Sequence, residues 1–87
     1  MNQKNNFEKD KKMDILHTSM MEFVLDYPPA ENIQDAESFY TTEKMKTLFE
    51  EFTDQKVNLV EMRNLLEQND YKHNTIEGNI HWMIKNK

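Results

Sequence analysis

The sequence predicts a mainly helical α+β domain, three helices followed by a C-terminal β-hairpin, and three observations carry that prediction. Apolar residues recur at a spacing near 3.6 in three separate stretches. Two of those stretches open on helix-capping signals. The only glycine of the chain, Gly78, separates Thr75-Ile76 from a run holding Ile80, Trp82 and Ile84, as a hairpin turn would. With 87 residues, 37% of them hydrophobic, the chain suits one domain with a thin core. A deep substrate cavity in addition to that core is not expected.

Residues 1–12, rich in Asn and Lys, read as a flexible lead-in, and residues 13–87 as a single helical domain. The first helix is expected at about 13–25, with Met13, Leu16, Met20, Phe23 or Val24, and Tyr27 on one face. Pro28-Pro29 stops it, because a proline holds the residue before it in extended geometry. Residues 28–40 lack periodicity and read as a polar connector pinned by Ile33 and Phe39. Two prolines without a PxxP repeat mark a helix stop, not a polyproline ligand.

The second helix is expected at about 42–53. Thr41 caps it, Tyr40 staples onto Met45, and Met45, Leu48, Phe49 and Phe52 form its apolar stripe. The third is expected at about 59–69, with Asn58 and Glu61 as a capping box, Val57 and Met62 as its staple, and Leu59, Met62, Leu65 and Leu66 facing the core.

Residues 71–85 read two ways. As a helix, Asn74 caps, Glu77 completes a box, and Ile76, Ile80, Met83 and Ile84 form a stripe, giving an all-α four-helix domain. As a hairpin, Tyr71–Ile76 pairs with Asn79–Lys85 around Glu77-Gly78, and Ile80, Trp82 and Ile84 alternate onto the core. Glycine inside a helix costs about 1 kcal/mol against alanine, whereas a turn uses its positive φ. Trp82 and the isoleucines also suit a strand. The hairpin is the favoured reading.

Charge and composition exclude several function classes. The net charge is −5. Residues 1–12 carry four lysines against Glu8 and Asp10, residues 13–56 carry three lysines against ten acids, and residues 57–87 balance. No cluster of Lys and Arg answers a phosphate backbone. There is no cysteine, no apolar run long enough to span a bilayer, and no signal-peptide pattern, so a cytoplasmic protein is expected.

Catalytic chemistry finds few parts. Neither Ser19 nor Ser38 sits in a glycine-flanked nucleophile elbow, and one glycine builds no phosphate loop. His17 has Met21, not a ligand, four residues on; His73 and His81 flank the turn and could meet across the hairpin. Zinc needs three or four converging ligands, and only Asp70 or Glu77 is near to join them, so solvated strand histidines are expected. Adjacent acids such as Glu50 and Glu51 point apart on a helix, and the order of a calcium loop is absent. No catalytic residue, metal or cofactor is expected. The seven methionines mostly fill the core. The first helix nonetheless has apolar residues left over, Ile15, Met21 and Leu25, which are the candidates for a protein partner or self-association.

Phe39-Tyr40-Thr41-Thr42, then Val57 through Leu66, then Tyr71 to Lys85 ending in Ile80-His81-Trp82-Met83-Ile84-Lys85, give an order that resembles a winged helix-turn-helix domain. It is similar to small uncharacterised bacterial proteins with a Tyr-Thr-Thr helix start and a terminal Trp-containing strand. The resemblance covers roughly residues 13–87 and rests on pattern. It implies that residues 58–69 form a groove-reading helix, yet Arg63 there faces Glu61 and Glu67. Were residues 74–85 a helix, that helix would be the reader. The nucleic-acid candidates are therefore Arg63, Lys72, Asn74, His81 and Lys85. The function expected is a non-enzymatic binding or regulatory module, most simply for protein–protein interaction, with a DNA-binding accessory factor as the alternative.

Overall fold

A computed structural model describes residues 3–85, with side chains from Lys11 onward. Helix α1 spans Gln3–Asp26, and it starts well before Met13. Gln, Lys and Glu are good helix formers, and no proline or glycine interrupts residues 3–12, so the helix extends without any apolar period to announce it. The lead-in of the sequence reading is thus helical from Gln3; Met1 and Asn2 lie outside the described residues. The helix closes where Pro28 requires, with Tyr27 N–H donating to the Phe23 carbonyl at 2.9 Å.

Helix α2, Thr42–Thr53, has the predicted bounds. Thr41 caps it by accepting from Lys44 N–H at 3.1 Å, and Asp54 ends it in the left-handed region, φ 59°. Helix α3, Leu59–Gln68, opens on a complete capping box: Asn58 accepts from Glu61 N–H at 2.8 Å, and Glu61 accepts from Asn58 N–H at 3.0 Å. Between α2 and α3, the Glu50 carboxylate accepts from Val57 N–H at 3.0 Å and pairs with Lys46.

Three strands, β1 (Ser38–Tyr40), β2 (His73–Ile76) and β3 (Asn79–Ile84), form an antiparallel sheet in the order β1-β3-β2. The hairpin reading therefore holds and the four-helix alternative does not. Ile76 pairs with Asn79, leaving Glu77 (φ 52°) and Gly78 (φ 82°) as a two-residue turn with both φ positive, the geometry that matches strand twist. That turn is the physical reason the last segment is not a helix.

The connector before α2 is more than a polar link. Its end, β1, pairs along one edge of β3. Its beginning bonds to the other edge: Lys85 N–H donates to Pro28 C=O and Ala30 N–H to Met83 C=O, on the side where Met83 N–H reaches Lys72 C=O. The turn between them carries the chain across, so residues 28–40 clasp the end of β3 from both edges. Ala30, buried, does the pinning expected of Ile33, which is 56% exposed.

The core gathers Leu16, Met20 and Phe23 of α1, Met45 and Phe49 of α2, Met62, Leu65 and Leu66 of α3, and Trp82 and Ile84 of β3. Phe23 is its hub, with ring centroids 4.7 Å from Tyr27, 5.5 Å from Phe49 and 5.9 Å from Phe52. Trp82, fully buried, donates from Nε1 to Thr42 Oγ1 at 2.9 Å and so ties the hairpin to the start of α2. Two residues assigned to the core leave it in part. Phe52 keeps an edge contact with Phe23 while partly exposed, and Leu59 is 44% exposed because the first turn of α3 projects past the packed stripe.

Candidate interaction surfaces

Strand alternation sorts the sheet residues into two faces. Trp82 and Ile84 enter the core, so their partners by register, His73, Tyr40 and Ser38, share that inner face. Asn74, His81, Met83 and Phe39 then belong to the outer face, with Lys72 opposite Met83 and Lys85 next in the same alternation. Four of the five nucleic-acid candidates, Lys72, Asn74, His81 and Lys85, are thus brought onto one side of the sheet, where Met83 between His81 and Lys85 is itself buried. Arg63 is not among them: it lies on α3, with its guanidinium 3.5 Å from Glu67. Glu77 borders the turn end of this face and Glu37 the Lys85 end, so the basic stretch is short.

The same alternation separates two histidines that a hairpin could have brought together. His73 pairs with Trp82 and stacks edge-on against its ring at 4.9 Å, while His81 pairs with Asn74 on the opposite face. A one-residue offset in register puts the imidazoles on opposite sides of the sheet. Among the described residues no three His, Cys, Asp or Glu side chains converge as metal ligands would.

On α1, the packed face is set by Leu16, Met20 and Phe23. Met21 and Leu25, 68% and 71% exposed, sit one turn apart on the far side of the helix. Ile15, 41% exposed, lies at the edge of that side and lines a shallow depression with Lys11, Asp14, Thr18 and Ser19. The three partner candidates therefore do fall on solvent-facing surface, with Met21 and Leu25 adjacent and Ile15 offset.

One surface was missed by the sequence reading. Leu59 and Ile80 line an open cleft of about 550 Å³ between the starts of α2 and α3 and the hairpin turn, rimmed by Thr41, Glu43 and Asn79. Val60, 70% exposed, adds to the apolar start of α3. The signal was Leu59-Val60 directly after the cap, where two adjacent apolar residues cannot both face the core of a helix. No helix among the described residues is long and apolar enough to cross a membrane. The chain matches no protein-family model, no curated protein and no solved structure.

Proposed function

We propose that the chain is a non-enzymatic binding module whose partner is a protein held on the outer face of α1. The observation that supports this reading is the exposure of Met21 and Leu25 side by side on the longest helix. Covering such a side chain fully contributes roughly 1.5–3 kcal/mol, so two adjacent ones make a useful anchor. Methionine adapts to a partner's contour at low cost. A chain without cysteine and with one glycine offers little else for chemistry. Affinity capture with the wild-type chain and with a Met21→Glu/Leu25→Glu variant tests the reading. The wild type retains a protein that the equally folded variant loses; equal retention by both, or retention of nothing, contradicts it.

A second reading, DNA binding through the hairpin, is favoured by one observation: Lys72, Asn74, His81 and Lys85 share the outer sheet face. Three helices followed by a hairpin also support a winged helix-turn-helix-like module. In this version the hairpin, not α3, makes the contacts, since α3 opens on Leu59-Val60 and its Arg63 is paired. Salt-sensitive retention of duplex DNA is expected, and Lys72→Glu or Lys85→Glu each lowers the salt slope by about one. No retention at low salt sinks this reading.

A further inference from the structure

We propose that the cleft between the hairpin turn and the starts of α2 and α3 takes an extended peptide segment of another protein, one with an apolar residue beside lysine or arginine. This surface is separate from α1, and it arises from a gap in the sheet. In β3, Met83 N–H donates to Lys72 C=O, so Met83, His81 and Asn79 turn their backbone groups toward β2. Trp82 and Ile80, alternating with them, turn theirs toward the β1 side. Trp82 meets Tyr40 there, but β1 ends at Tyr40, and the chain leaves the line of the strand as Thr41 caps α2. Among the described residues, no backbone hydrogen bond joins Ile80 to Thr41 or Thr42.

The N–H and C=O of Ile80 are therefore an unpaired donor and acceptor on a strand edge, and Ile80 lines the cleft. One residue of an extended chain answers such a pair, accepting from the N–H and donating to the C=O. A residue opposite Ile80 puts its side chain on the same face as Ile80. That is the inner face, where Leu59, 44% exposed, lines the cleft, so an apolar side chain fits there. A Cβ added at Gly78 would meet nothing within 4 Å, so the turn leaves the cleft open on its side.

Charge narrows the segment further. Glu43 is the ionisable side chain of the lining, and Glu77 adjoins it beside Gly78. Neither carboxylate forms an ion pair among the described residues. Both favour a cation on the incoming segment. The outer edge of β2 offers less, because Thr75 N–H there already donates to Asn74 Oδ1 at 3.1 Å.

Amide NMR of the full, unaltered chain tests the proposal with an end-capped peptide, Ser-Lys-Val-Lys-Ser, and two relatives. Before any peptide is added, the Ile80 amide should exchange with solvent faster than that of Trp82; equal protection overturns the gap. On titration, the Ile80 amide and the Leu59 methyls should shift while the Thr75 amide stays in place. N-methylation of the peptide's valine removes the donor to Ile80 C=O and should weaken binding roughly tenfold. Replacing both peptide lysines by glutamate should weaken it severalfold. No shift at Ile80 with millimolar peptide overturns the site. An N-methylated peptide that binds equally well overturns strand pairing, and a glutamate peptide that does so overturns the basic segment. A shift led by Thr75 places the peptide on β2 and overturns the cleft.

Discussion

Tyr71 and Glu50 each close a joint between elements through a contact that depends on protonation. The Tyr71 hydroxyl donates to the Tyr27 carbonyl, fastening the start of the hairpin segment to the end of α1. Burial raises its pKa above the ordinary value of 10. Glu50 accepts Val57 N–H, and that hydrogen bond, then Lys46, hold its pKa below the ordinary glutamate value despite partial burial. The signs are opposite in pH. A lowered acid contributes stability above its unfolded pKa and loses it as pH falls through the folded value; Tyr71 contributes fully below pH about 10 and loses it above. Denaturant titrations should show Glu50→Gln flattening the acid-side decline and Tyr71→Phe the alkaline one. An unchanged slope in either variant contradicts the assignment. Neither joint was legible in the sequence, since 44 residues separate Tyr71 from Tyr27 and nothing local marks either as a partner.

The elements themselves were legible where the signal was local. Thr41 and Asn58 announced α2 and α3 because caps act within three residues of themselves. Gly78 announced the turn because both central positions need positive φ. Strand β1 was not legible: three residues are too few for a period, and it exists only because β3 offers an edge to pair with. The start of α1 was hidden for the opposite reason, being helical without an apolar face. Glu77 is a non-glycine at φ 52°, and unlike Asp54 and Asp70, at φ 59° and 67°, it lacks the short polar side chain that is at ease there. Glu77→Asn should stabilise the domain by about 0.5–1 kcal/mol. A melting temperature that fails to rise would show the turn to be relaxed as it stands.

At the scale of the whole molecule, one core is shared by all three helices and the sheet, and the surfaces it leaves are few. The candidate residues on α1 were legible as surplus to the apolar stripe, since a helix can bury only one side. The common face of Lys72, Asn74, His81 and Lys85 was not, because it depends on register, and one residue of slip would have divided them differently. Leu59 was read as part of a core that stops short of it. The account therefore turns on α1, whose outer side carries Met21 and Leu25 exposed one turn apart. Methionine methyl NMR addresses it directly, because Met21 is exposed whereas Met20, Met45 and Met62 are fully buried and serve as internal references. As the captured partner is titrated in, the Met21 signal should shift while those of Met45 and Met62 stay in place. A Met21 signal that holds still at saturating partner would contradict the account.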